Sequence, residues 1–296
     1  MNSSFDIEPY SPSLAAVPPR ALYHALSDEQ WGWLHLRGTT LCSFLQEHLP
    51  SLPPEHTQTA LTGTSGSLAL LQAFEVYKEF KALYKQHRGR PLRATDSILD
   101  FGCGWGRVIR FFLKDVHPHN LLGVDISTVA LEACSQTNRW CRFAETPTLP
   151  PSNLPADSFD LIYAYSVFSH LSEEAHLAWL KEFQRLSKPN GVILLTTLSR
   201  GFLESAQELA GGDPNALQAW QQQAATFFSP AEEWLEMYDR GKFCYMPINR
   251  TKNPHFGLAC IPEAYVRSVW STILNVMDYL PPKHGRSQDL IACINR

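Results

Sequence analysis

Apolar residues along this chain recur with two periods, and the switching between them sets the expected fold. From Ser67 to Arg88, Leu70, Phe74, Tyr77, Phe80 and Tyr84 return every three or four positions, predicting one long amphipathic helix closed by Gly89. Short apolar runs then follow at Ser97 to Phe101, Asn120 to Asp125, Cys141 to Glu145, Phe159 to Ser166 and Val192 to Leu198. Runs of that length between helical stretches predict parallel strands, which are covered on both faces and need no polar alternation. The intervening helices start at the caps Ser127 and Ser172. The second carries Leu177, Trp179, Leu180, Phe183 and Leu186, and we expect its His176 to face solvent.

Outside this core the pattern weakens. Residues 1–20 hold four prolines and no period, so a flexible arm is expected there. Residues 21–66 read as a helical extension in which Trp31, Trp33, Leu34, Leu41, Phe44 and Leu45 form an apolar face. The core spans 67–198. Between 199 and 256 the alternation stops while aromatic residues persist, among them Phe202, Trp220, Phe227, Phe228, Trp234, Tyr238, Phe243 and Tyr245. A mostly helical cap inserted after the fifth strand is expected, lying over the carboxyl ends of the strands where open α/β sheets bind ligands. Residues 257–296 return to pattern, with a helix at Pro262 to Ser271 and strands at Ile273 to Tyr279 and Asp289 to Asn295.

The stretch with the most specific chemistry is SILDFGCGWGR, Ser97 to Arg107. Gly102, Gly104 and Gly106 predict a tight turn between a strand and a helix start, where a ligand lies against bare backbone and meets free amide groups. The spacing departs from the dinucleotide fingerprint. An acid two positions before the first glycine repels a pyrophosphate but suits an ammonium group. Asp125 ends the second strand 25 positions after Asp100, close to where an acid accepts both ribose hydroxyls in a doubly wound sheet.

Residues Asp100 to Gly106 resemble motif I of the Rossmann-like (class I) S-adenosylmethionine-dependent methyltransferases, small-molecule type. The segment Phe159 to Thr197 closely resembles the fourth through fifth strands of the same family. The resemblance implies an α/β fold with a doubly wound, seven-stranded, mostly parallel sheet whose last two strands form a hairpin. It further implies that Asp100, Gly102, Cys103, Gly104 and Gly106 hold the methionine part of S-adenosylmethionine, with S-adenosylhomocysteine as product. Asp125 would take the ribose, Ile126 would flank the adenine, and Tyr165 and Ser166 would stand beside the methyl group. Thr62, Gly63 and Tyr77 are implied to lie near the cofactor, against the plainer reading that they cover the core.

Composition narrows the acceptor. With 25 basic against 29 acidic side chains, a net charge of −4 provides no global field for a polyanion, so no nucleic-acid substrate is expected. No apolar run is long enough to span a bilayer, and the N-terminus lacks the build of a signal peptide, so no membrane partner and a cytoplasmic location are expected. The seven cysteines are scattered without a Cys-x-x-Cys pair and read as reduced thiols. The pair His117 and His119 lacks partners at ligand spacing, so no metal is expected. Asn253 to Phe256 resembles the Asn-Pro-Pro-aromatic motif of amino-group nucleic-acid methyltransferases, but it lies far beyond the fourth strand, where that motif belongs.

Methyl transfer needs alignment and dryness more than covalent help, and a base only when the nucleophile carries a proton. His170, five residues beyond Tyr165, is the candidate base, with a loop-holding backbone bond as its plainer role. Tyr245 and His255 are candidate substrate contacts, and Gln288 and Asp289 precede the last strand on a loop that reaches the site. The expected activity is methylation of an oxygen or nitrogen on a small or medium organic acceptor or short peptide, apolar or aromatic in character. A non-catalytic cofactor-binding or scaffolding protein of the same fold is the alternative. A nicotinamide oxidoreductase is disfavoured by the glycine spacing. Oligomeric state is not legible.

Overall fold

A computed structural model describes residues 23–38, 47–210, 226, 228–249, 253–283 and 286–296. The expected arm at 1–20, the apolar positions Leu41, Phe44 and Leu45, and Trp220 and Phe227 of the expected cap lie outside the described residues.

The long periodic stretch forms the helix α3, Gly66–Arg88, after α1 (Asp28–Trp33) and α2 (Glu55–Thr62). Its buried face includes Leu70, Phe74, Tyr77, Phe80 and Tyr84, and Gly89 closes it in the left-handed region at φ 70°. The apolar runs form the strands β1 (Ile98–Phe101), β2 (Leu121–Asp125), β3 (Arg142–Glu145), β4 (Phe159–Ala164) and β5 (Ser187–Thr197). Between them run α4 (Thr128–Thr137) and α5 (Glu173–Leu186), and α8 (Glu263–Val269) precedes β8 (Asn275–Leu280) and β9 (Asp289–Ile294). The seven strands lie in the order β3-β2-β1-β4-β5-β9-β8, with β9 antiparallel to β5 and to β8. This is the implied doubly wound, mostly parallel sheet. Successive residues of each strand point to opposite layers. Ile98, Leu161, Tyr163 and Leu194 pack toward α3, whereas Leu99, Ile162, Ile193 and Leu195 pack toward α5 and α8.

Three expectations are corrected. The segment after the glycine loop is a 3₁₀ helix, Ile109–Lys114, in place of a full α-helix. Every residue of it is buried, and the Trp31 indole donates to the Phe111 carbonyl at 2.8 Å, so tertiary contacts on all sides set its conformation. Trp33 leaves the expected apolar face and is 41% exposed while Trp31 is buried, because residues two apart on a helix cannot share a face. The expected cap contains the helices α6 (Arg200–Ala210) and α7 (Ala231–Asp239) but also an antiparallel pair, β6 (Cys244–Asn249) and β7 (Asn253–Cys260). The boundary drawn at 256 therefore falls inside a strand.

Among the described residues, no helix is long and apolar enough to cross a membrane.

Candidate active site

At the carboxyl end of β1, the glycine loop turns through three left-handed residues, Gly102 (φ 71°), Gly104 (φ 54°) and Gly106 (φ 75°). Gly104 is the least crowded of the three: a Cβ built there would meet nothing nearer than Thr62 Cγ2, in ordinary contact at 3.7 Å. Thr62 ends α2 and also accepts the Trp105 indole N–H at 3.3 Å, so the extension roofs the loop. Tyr77 is not part of this roof. It is fully buried and donates to Asp115 at 2.6 Å, which is the core-covering role.

Asp100 sits beneath the loop, 3% exposed, and its Oδ2 has no hydrogen-bond partner. Burial pushes its carboxyl up to about 7, against the pull of the nearby Tyr163 hydroxyl and the Arg107 guanidinium. A buried carboxylate oxygen without a donor is costly unless a ligand supplies one. An ammonium group placed against the bare Gly104 backbone would do so, and the methionine part of S-adenosylmethionine fits these residues on that ground.

On β2, the Asp125 carboxylate accepts from the Gly104 amide at 2.9 Å and from the Ser127 amide at 2.8 Å. These bonds fix its direction. The next residue, Ile126, is 48% exposed beside it. Cys103 is buried, with its backbone amide donated to the Val124 carbonyl at 3.0 Å.

Tyr165 and Ser166 follow β4. The Arg107 guanidinium lies 4.9 Å from the centre of the Tyr165 ring, a contact with no signal in the sequence beyond an arginine after the loop. Ser166 takes the left-handed φ of 61°, unusual for a residue with a Cβ and a mark of local strain. Its amide donates to Thr196 Oγ1 at 2.7 Å, and its hydroxyl accepts from Gln288 Nε2 at 2.8 Å. Gln288 thus reaches Ser166 from the loop before β9.

His170 is pinned. Its Nδ1 lies 3.0 Å from the Gly257 carbonyl, which can only accept, so Nδ1 carries the proton and Nε2 is the basic nitrogen. Burial lowers the imidazole below its ordinary value. The ring stacks on Phe256 at 5.3 Å, and so ties the loop after β4 to β7. Gly257 must be glycine for this crossing, since a Cβ would lie 2.2 Å from the Met246 carbonyl.

Tyr245 and His255 line a separate cleft of about 600 Å³ together with Glu173, Glu174, Trp234 and Phe243. Tyr245 donates to the Pro254 carbonyl at 2.7 Å, and His255 Nδ1 pairs with Ser172 Oγ at 3.0 Å. The structure does not bring these two residues against the glycine loop. The link runs through His170 and Phe256.

His176 is a correction. It is fully buried, with Nε2 2.6 Å from the Phe168 carbonyl, and burial drives its ring down to about 3. The signal was present: positions 176, 179, 180 and 183 share one helical stripe.

Comparison with known proteins agrees with this geometry. Residues 99–193 match the methyltransferase domain family. A malonyl-[acyl-carrier protein] O-methyltransferase of Legionella pneumophila is 28% identical over 154 residues, 50% of this chain and 48% of that protein. A tRNA N(3)-methylcytidine methyltransferase of Schizosaccharomyces pombe is 24% identical over 200 residues, 62% of this chain and 80% of that protein. The match thus spans about half the length of the first relative. Among solved structures, a putative S-adenosylmethionine-dependent methyltransferase from Listeria monocytogenes aligns at TM-score 0.49 and 12% identity, over 76% of this chain and 98% of its own. The segment from β1 into β5 thus matches the methyltransferase domain family, and the sheet order around it is the one that the resemblance to the Rossmann-like (class I) S-adenosylmethionine-dependent methyltransferases implied. The family's methyl donor is S-adenosylmethionine.

Proposed function

We propose that this protein methylates an oxygen or nitrogen of a small or medium organic acceptor. The observation that carries the reading is the buried, unpaired Oδ2 of Asp100 at the start of the left-handed glycine turn, together with the carboxylate of Asp125 bonded to the Gly104 amide. We assign Asp100, Gly102, Cys103, Gly104 and Gly106 to the methionine part, Asp125 to the ribose, Ile126 to the adenine face, and Tyr165 with Ser166 to the rim beside the methyl. Bound there, S-adenosylmethionine supplies an electrophilic methyl on a sulfonium.

A hydroxyl or ammonium acceptor sheds a proton as its lone pair takes the methyl, and His170 Nε2 is the group we assign to receive it. The ring is half-buried, and the desolvation that lowers its pKa favours the neutral form, in which that nitrogen can accept. The cleft holding Tyr245 and His255 is the proposed acceptor seat. Among the described residues, the acidic side chains lining it are Glu173 and Glu174, which supports a neutral or cationic acceptor over a polyanion such as the tRNA named for one relative.

Calorimetric titration with S-adenosylmethionine and S-adenosylhomocysteine tests the cofactor assignment. Micromolar binding of both is expected, and no binding by the folded protein overturns the reading. Transfer of a labelled methyl group to tRNA and to an acyl-carrier protein, set beside small alcohols and amines, tests the acceptor class.

A further inference from the structure

The acceptor side of the rim is held by a buried polar chain that starts far from it. Glu79 of α3 accepts from Arg286 Nε at 2.9 Å, and Arg286 in turn donates to the Pro281 carbonyl at 2.9 Å and to the backbone carbonyl of Gln288. Gln288 Nε2 then donates to Ser166 Oγ at 2.8 Å, and the Ser166 amide donates to Thr196 at 2.7 Å. Among these side chains, Gln288 alone keeps a buried polar atom without a partner, its Oε1. The residue is 9% exposed. An amide oxygen held in place from both ends and left without a donor is unusual, because buried acceptors are nearly always satisfied.

Sheet order says which ligand can supply the donor. The glycine loop and Asp125 occupy the ends of β1 and β2, whereas Ser166, Thr196 and Gln288 follow or border β4, β5 and β9 on the other side of β1. The cofactor assignment therefore leaves Gln288 on the acceptor's side of the methyl. The neighbouring charges narrow the acceptor further. The guanidinium of Arg286 is engaged by Glu79, and the adjacent Asp289 is a buried acid that accepts from Tyr279 at 2.7 Å. A carboxylate acceptor brings no donor for Oε1 at neutral pH, and of the two guanidinium groups nearby Arg286 is engaged by Glu79 while Arg107 lies buried against the Tyr165 ring and interacts with Asp100.

Resting on the methyltransferase reading, we infer that Gln288 Oε1 accepts a hydrogen bond from an N–H or O–H of the methyl acceptor, so that the site selects amines or alcohols over carboxylic acids. Ser166, bent into its left-handed conformation, sets the amide's orientation by accepting from Nε2.

The test uses the full chain, with Gln288→Met and Gln288→Glu beside the parent protein. Titration with S-adenosylhomocysteine comes first. Failure of the parent to bind it breaks the methyltransferase reading and overturns the inference with it, a result distinct from the acceptor outcomes below. With binding in hand, transfer of a labelled methyl group is followed to a panel of matched aryl-alkyl alcohols, amines and carboxylic acids, such as 2-phenylethanol, 2-phenylethylamine and 3-phenylpropionate. We expect transfer to alcohols or amines and none to the acids. Gln288→Met should raise the acceptor KM at least tenfold while S-adenosylhomocysteine affinity stays within twofold. Gln288→Glu, which retains an accepting oxygen, should keep transfer to amines within about threefold; because Met and Glu fill nearly the same volume as Gln, a packing role would not split the two variants in this way. Methylation of the acids, undiminished transfer by Gln288→Met, or no transfer to any alcohol or amine by protein that binds S-adenosylhomocysteine overturns the inference.

Discussion

The two halves of the site are held by different means. On β1 and β2 the proposed cofactor surface is backbone, shaped by left-handed glycines and braced by Asp125 through two amide bonds. On β4, β5 and β9 it is a set of side chains drawn from distant elements, in which Glu79, Arg286, Gln288, Ser166 and Thr196 touch in sequence. The difference teaches why one half is general and the other specific. A backbone cradle tolerates little variation and suits one constant ligand, whereas a network of side chains can be altered one residue at a time to fit a particular acceptor.

The largest expected effect falls on the side-chain half. Glu79→Ala leaves the buried Arg286 guanidinium without its carboxylate and should destabilise the fold by about 3–5 kcal/mol, read from urea unfolding. Replacing both residues with leucine should recover most of that loss. If the single variant unfolds at the parental midpoint, the network carries no weight and the contrast between the halves fails.

Asp125→Ala probes the backbone half. It should weaken S-adenosylhomocysteine binding by about 1–3 kcal/mol, roughly fivefold to 150-fold, measured by calorimetry. Unchanged affinity would sink the ribose assignment.

Proton linkage comes next in size. Asp100 titrates near 7 when folded and far lower when unfolded, so the native state holds more protons between pH about 4 and 7, and this group's contribution to stability falls as pH rises through that window. His176 works with the opposite sign. Its neutral buried ring binds fewer protons than the unfolded chain between about 3 and its ordinary value, so its contribution rises with pH there. Unfolding curves therefore mix the two, while cofactor binding isolates Asp100. If an ammonium ligand needs the ionised carboxylate, binding should release about half a proton at pH 7 and about a tenth at pH 8. The heat of binding in buffers of different ionisation enthalpy reads that number, and Asp100→Asn should abolish it.

The smallest effect is expected in the cleft. The Glu174 side chain is 75% exposed, so Glu174→Gln should leave stability within about 0.5 kcal/mol and shift acceptor KM only a few-fold. A larger change in unfolding midpoint would mean that the cleft is structural.

How much could be read in advance follows the same division. Asp100, the three glycines and Asp125 announce themselves because a strand, a turn and a strand end are local arrangements with local spacing. His176 was equally legible and simply lay on the apolar stripe. The strand pair at Cys244 to Cys260 was not, since Pro247, Pro254 and Gly257 disfavour strands locally and only the pairing and the close crossing over Met246 explain them. The 3₁₀ helix after the loop was hidden for a related reason, because burial on every side overrode the helical appearance of its sequence.

By itself, the sequence determined the parallel sheet, the long covering helix, the glycine turn and the two acids at the strand ends that we assign to a cofactor, all of which depend on period and near-neighbour chemistry. Tertiary structure alone decided that Thr62 roofs Gly104, that Arg107 stacks on Tyr165, that His170 is tied to Gly257, and that Gln288 meets Ser166 from 122 positions away. Contacts between residues so far apart arise only once strand order and register bring them together, and no local pattern in the chain encodes that order.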